Sequence, residues 1–251
     1  MASVLELAKL SAAVYKNSQA CEEWLRIGLP YREEGSGFCS AIYHKGKVGE
    51  YALVIAGTDP TEVDDLRSDA QLFLGRMPDQ YRVARTAYAL AAQFVDPDAT
   101  YLTGHSLGGG LASMLGKEHG DPVVTFNAPG MARAFADVQR REGGLSAASD
   151  ETRKVLHVCA VMDVVSRGTG AHMGAGGKVE RIRSIGARDV LFAVGAGAVG
   201  GLIGSVAGPA GTGAGIAAGA GGAIALRAHS IDRLVAAVAG HGKYCEDLGW
   251  V

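Results

Sequence analysis

Apolar positions recur along this chain at two different periods, and the change of period marks out the elements. Val4, Leu7, Ala8, Leu10 and Val14 fall at helical spacing and predict a helix over residues 4–17. Two runs, 38–44 and 48–57, are strand-like and flank Lys45-Gly46-Lys47, which predicts a hairpin. Beyond them the periods alternate. Residues 80–95 form an amphipathic helical pattern, 99–103 a strand after the Asp96-Pro97-Asp98 turn, and 107–119 a helix with small residues on one face. Strand 122–126, helix 131–141, a polar loop at 142–151, an apolar run at 154–162 and a last strand at 178–184 follow, before an amphipathic final helix beyond His229. Such alternation implies an α/β fold, a mainly parallel sheet with helices on both faces. A chain of 251 residues is expected to bury one substantial core, as a single domain over 1–251.

The junction between the 99–103 strand and the 107–119 helix reads Gly104-His105-Ser106-Leu107-Gly108. So sharp a turn drives its central serine into a strained backbone conformation, and glycines two places to either side remove side chains that would collide. G-x-S-x-G arises easily by chance in a chain with 37 glycines, so the flanking strand and helix are what give it meaning. The pattern predicts a nucleophile elbow. Ser106 is then the nucleophile, and the Leu107 N–H, at the positive end of the helix, is a donor for a developing oxyanion.

A serine needs a base, and the base needs an orienting carboxylate. Asp163 stands where the 154–162 run ends, and carboxyl ends of strands are where open α/β sheets place working residues. Asp150 and Asp189 follow no buried strand and are weaker rivals; a plain turn or helix cap is the alternative role for Asp163. Among seven histidines, His105 belongs to the elbow, His157 lies inside an apolar strand, and His44 and His119 precede the acid. His229, between a loop and the last helix, is the expected base; His172 and His241 are the other candidates.

These residues resemble the class 3, fungal-type lipases of the α/β-hydrolase superfamily, over about residues 5–238. The segments that carry the resemblance are 51–69, the elbow, Thr125-Phe126-Asn127-Ala128-Pro129-Gly130, and the stretches around Asp163 and His229. In that family a strand ends in a Gly-Thr or Gly-Ser pair whose second residue is the other oxyanion donor, so the resemblance gives Thr58, in Gly57-Thr58, that role. Asp65-Leu66-Arg67-Ser68-Asp69 is similar to the family's D-W-L-x-D segment, with Leu66 where an aromatic is usual. The chain departs from the family at Ala56, where an arginine is more usual, and at Val164-Val165-Ser166, where a proline is usual. The resemblance implies a serine ester hydrolase acting on acyl glycerides through an acyl-enzyme, with no cofactor and no metal. A phospholipase A1 uses the same triad and is the alternative within enzymes. An exported membrane-targeting toxin, or a membrane-inserting protein without enzymatic activity, are further alternatives.

Composition narrows the partners. A net charge of -2, with no lysine or arginine cluster, offers nucleic acid no basic face. Cys21, Cys39, Cys159 and Cys245 are widely spaced and read as reduced thiols. The first residues lack a basic segment followed by a long apolar one, so a cytoplasmic protein, or one exported by a leaderless route, is expected. One segment sits apart. Residues 190–226 carry no charge, and glycines recur every four positions, as in Gly200, Gly204 and Gly208 or Gly211, Gly215 and Gly219. With Gly208-Pro209 as the break, this predicts a Gly-zipper helical hairpin inserted between acid and base, each arm long enough to cross a hydrocarbon layer of about 30 Å. Three roles are open to it: a hairpin packed on the protein's own surface, a lid or membrane-contacting hairpin that opens at a lipid surface, and a fixed two-span anchor.

Overall fold

The computed structural model describes residues 1–33, 36–46, 49–57, 66–142, 154–161, 163–173, 178–184, 228–248 and 250. The expected hairpin at 190–226 and most of the expected loop at 142–151 lie outside them. Helix α1 (Val4–Ala13) starts at a reciprocal cap: the Ser3 hydroxyl accepts the Glu6 N–H at 3.2 Å, and the Glu6 carboxylate accepts the Ser3 N–H at 2.8 Å. Two amides with no partner inside the helix are thereby satisfied, and such a cap contributes about 1 kcal/mol. The helix stops short of residue 17 because the chain must turn there, with Asn17 left-handed at φ 52°.

Strands β1 (Ala20–Cys21), β2 (Trp24–Glu33), β3 (Phe38–Lys45) and β4 (Glu50–Ile55) pair antiparallel in sequence order. The apolar pattern does not announce β2. Gly28 and Pro30 interrupt its alternation, and the ladder absorbs them in a register shift between Ile27 and Tyr31. Helix α2 (Leu66–Ala91) then leads to β5 (Thr100–His105), α3 (Leu107–His119), β6 (Val123–Phe126), α4 (Ala132–Glu142), β7 (Val155–Ala160), the short α5 (Val164–Gly168) and β8 (Lys178–Ile182). The last helix, α6, is Ile231–Ala239. Helix α2 begins well before the expected residue 80, because Pro78 lies within the helix and does not interrupt it.

The eight strands lie side by side in the order β1 to β8. Hairpin-length links make the first half antiparallel, whereas helical crossovers make β4 to β8 parallel. Because every crossover steps the same way along the sheet, a constant handedness puts the crossover helices on one face. There Leu53, Ile55 and Leu102 pack against Tyr81, Ala84, Leu111, Met114 and Phe135 of α2, α3 and α4. The opposite face, with Ala52, Val54, Tyr101, Phe126 and Val158, is covered by the two ends of the chain, α1 and α6, through Leu7, Leu10, Leu234 and Val238. Strands β5 and β7 are buried along their whole length. The large apolar side chains among them, Leu102, Val155, Leu156 and Val158, each contribute about 1.5–3 kcal/mol on leaving water. Among the described residues no helix is long and apolar enough to cross a membrane, and all four cysteines are free thiols.

Candidate active site

The expected elbow forms where β5 passes into α3. Ser106 sits between them at φ 55° and ψ -131°, a conformation that side chains with a Cβ rarely adopt. Its amide is tied to the Phe126 carbonyl of β6 at 2.9 Å, and its carbonyl accepts the Gly110 N–H at 3.1 Å. The flanking glycines are needed for room. A Cβ on Gly104 would stand 2.5 Å from the Ile55 carbonyl oxygen, and one on Gly108 only 2.2 Å from that same atom. Leu107 opens α3, so its N–H is among the four amides without an acceptor inside the helix.

Asp163 caps the other end of the site. It follows β7, is fully buried, and its carboxylate accepts the amides of Val165 and Ser166 at 3.3 and 2.8 Å, so it caps the short helix α5. Burial by itself would raise its pKa, but the His229 imidazole and the Ser166 hydrogen bonds overcome that and hold it below the usual carboxylate value. It is therefore an anion that can only accept. His229, one residue before the Ser230 that precedes α6, brings Nδ1 to 2.7 Å from Asp163 Oδ1 and Nε2 to 2.7 Å from Ser106 Oγ. Since the carboxylate accepts, Nδ1 carries the proton; Nε2 is then the acceptor for the Ser106 hydroxyl. The structure thus brings together Ser106, Asp163 and His229, which are remote in sequence.

The rival histidines are elsewhere. His172 Nε2 lies 3.2 Å from the Ser166 carbonyl, and burial lowers its pKa. His157 bonds Thr125 Oγ1 at 2.8 Å and the Met173 carbonyl at 3.2 Å inside the sheet, and burial pushes its pKa down to about 4. His44 stacks on Tyr51 and His119 on Tyr88, while His241 is exposed beyond α6. Asp150, Asp189 and the expected oxyanion residue Thr58 lie outside the described residues; Gly57, just before Thr58, is described.

Three polar residues surround this group: Tyr15, which the sequence does not single out, His105, read there only as part of the elbow, and Asn127, named only within a segment of the family resemblance. Tyr15, just past α1, accepts the Gly57 N–H at 2.9 Å and reaches His105 Nδ1 at 3.0 Å. His105 Nε2 lies 2.6 Å from the His229 carbonyl. Asn127, left-handed at φ 47° after β6, donates to the carbonyls of Ala228 and His229 at 2.9 and 3.1 Å and accepts the Ala160 N–H at 2.7 Å. An asparagine following a buried strand, where such residues tolerate a left-handed turn, is a local signal that could have marked Asn127. Tyr15 offers none, because its partners lie far along the chain.

A strained serine between a parallel strand and a helix, with a buried carboxylate after a later strand and an imidazole just before the last helix in line behind it, defines the class: an α/β-hydrolase. The chain belongs to the phospholipase-like family of Tle-like phospholipase domains, whose model matches residues 6–189. The matched stretch includes Ser106 and Asp163 and ends before His229. That membership accords with the lipase resemblance read from the motifs.

Among curated proteins, the extracellular phospholipase A1 of Serratia liquefaciens is 39% identical over 100 residues, a match that covers 40% of this chain and 30% of that protein. The chain therefore spans less than a third of that relative's length. Among solved structures, a triacylglycerol lipase from Penicillium expansum aligns over 72% of this chain and 79% of its own, with a TM-score of 0.47 and 16% identity. Lip2 lipase from Yarrowia lipolytica aligns over 71% and 77%, with a TM-score of 0.46 and 17% identity.

Proposed function

We propose that this protein is a carboxylic ester hydrolase that cleaves acyl esters of lipids, with Ser106 as nucleophile, His229 as general base and acid, and Asp163 as the orienting carboxylate. The observation that carries the proposal is the continuous series Ser106 Oγ, His229, Asp163, with 2.7 Å at each link. His229 Nε2 takes the hydroxyl proton as Oγ attacks the ester carbonyl, and the imidazolium that forms is stabilised by Asp163. The negative oxygen of the tetrahedral intermediate takes the Leu107 N–H, with Thr58 as second donor on the strength of the family resemblance. Collapse breaks the carbon–oxygen bond to the alcohol, which leaves with the proton held by His229. Water, deprotonated by the same ring, then attacks the acyl-serine and releases the fatty acid.

Membership of a phospholipase family, and the phospholipase A1 relative, favour a glycerophospholipid over a neutral glyceride as the ester donor. The substrate would thus reach the site from a lipid surface, and residues 190–226, uncharged throughout, are the candidate contact. The test compares the protein with its Ser106→Ala variant on phosphatidylcholine vesicles and on a triacylglycerol emulsion. Free fatty acid released from the vesicles and lost in the variant is the expected result. Equal release by the two proteins would refute the nucleophile, and release from the emulsion alone would move the substrate back to neutral glycerides.

A further inference from the structure

The hydrogen bonds around His105 have only one consistent direction. The His229 carbonyl, 2.6 Å from His105 Nε2, can only accept, so Nε2 must carry a proton. Burial, followed by the nearby His229, pushes the His105 pKa down to about 3, so the ring holds one proton and Nδ1 is a bare acceptor. The Tyr15 hydroxyl, 3.0 Å away, therefore donates to Nδ1, and its oxygen is left to accept the Gly57 N–H at 2.9 Å. Gly57 in turn lies against the nucleophile: a Cβ on it would stand 3.0 Å from Ser106 Cβ.

A second arm comes from the neighbouring strand. The Asn127 amide donates to the Ala228 and His229 carbonyls, and its oxygen accepts the Ala160 N–H of β7, three residues before Asp163. The His229 carbonyl thus receives two donors, His105 from the nucleophile's strand and Asn127 beside the acid's. All of these atoms are buried or nearly so, where a missing partner costs more than in water.

We propose that Tyr15, His105 and Asn127 are positioning residues, a single hydrogen-bonded frame that fixes the His229 backbone against both Ser106 and Asp163 and fixes Gly57 beside the nucleophile. Rotation of the imidazole is set by the acid, and its translation by this frame. Both His105 and Asn127 bond the His229 carbonyl rather than its imidazole nitrogens, and the His105 ring also lies beside that imidazole, 4.8 Å between ring centroids. The inference rests on the proposed roles of Ser106 and His229, because a frame matters to turnover only if those two groups perform it.

The test uses a short soluble ester, p-nitrophenyl butyrate, with thermal midpoints measured in parallel. His105→Phe removes the donor to the His229 carbonyl and the acceptor for Tyr15, and His105→Gln restores a donor at the place of Nε2. Asn127→Gly removes both donors while tolerating the left-handed backbone, and Tyr15→Phe keeps the ring and removes only the hydroxyl. For His105→Phe, Asn127→Gly and Tyr15→Phe we expect kcat to fall by about tenfold or more in the folded protein, since small misplacements at a reacting centre are costly. KM is expected to stay within about twofold, the mark of an interaction that matters in the transition state. His105→Gln is expected to recover most of the loss. Folded variants with unchanged kcat, or a His105→Phe defect that His105→Gln leaves in full, would overturn the frame. Tyr15→Phe, the mildest change, decides the matter should the other variants not fold. A parent protein that does not hydrolyse the ester, or does so equally as Ser106→Ala, would instead refute the functional reading and would show up before any frame variant is compared.

Discussion

At the residue scale the site is held by strain that the fold imposes on one position. Ser106, at φ 55° and ψ -131°, occupies a region nearly closed to residues with a Cβ, and such residues store on the order of 1–3 kcal/mol. Ser106→Gly releases that strain and removes the hydroxyl proposed as the nucleophile. The expected outcome is a higher thermal midpoint together with complete loss of ester hydrolysis, read by calorimetry and a fatty-acid assay. A lower midpoint would mean that the hydrogen bond to His229 outweighs the backbone strain. Ser106 and Asp163 were legible in the sequence for local reasons, a turn that only certain residues permit and the end of a buried strand. His229 was less so, since two other histidines followed the acid and only the fold removes them from the neighbourhood of Ser106. Tyr15 gave no signal, and His105 showed only as a member of the elbow, because what joins the two is a hydrogen bond across layers.

At the element scale, the helices and strands with clean periods were readable to within a residue or two; α3 and β3 are examples. Strand β2 was hidden because Gly28 and Pro30 break its alternation and half of it faces solvent, with Leu25 and Leu29 exposed. The start of α2 was hidden by Pro78, which usually ends a helical pattern and here does not. The elbow is the element that tolerates least change. A Cβ at Gly108 would meet the Ile55 carbonyl oxygen at 2.2 Å and the Ala56 carbonyl carbon at 2.6 Å, both backbone atoms that cannot swing aside. Gly108→Ala is therefore expected to destabilise by about 3 kcal/mol or more, or to abolish folding, as measured by urea denaturation. A loss below about 1 kcal/mol would show that β4 and α3 can separate at little cost, contrary to the packing described.

At the scale of the whole molecule, two buried neutral histidines on opposite sides of the sheet make stability depend on pH. His105 and His157 have folded pKa values of about 3 and about 4, against about 6.5 in an unfolded chain. Between those values the unfolded chain takes up protons that the native state refuses, so stability is complete above about pH 6.5 and falls as the pH drops. The slope is roughly 1 kcal/mol per pH unit for each histidine. Asp163, with its carboxyl held below the usual value, adds a further loss only once the pH falls below about 4. The thermal midpoint is thus expected to decline from about pH 6.5 to about pH 4.5, less steeply in His157→Gln, and a flat profile would contradict the neutral burial of these rings.

The central claim, that Ser106 is an activated nucleophile because His229 and Asp163 stand in line behind it, is tested most directly by treating the protein with a serine-reactive alkyl phosphonate and locating the adduct by mass spectrometry. One modified site is expected, Ser106, with labelling lost in His229→Ala although the serine is still present. Labelling at a different serine, or at Ser106 with undiminished rate in His229→Ala, would contradict it.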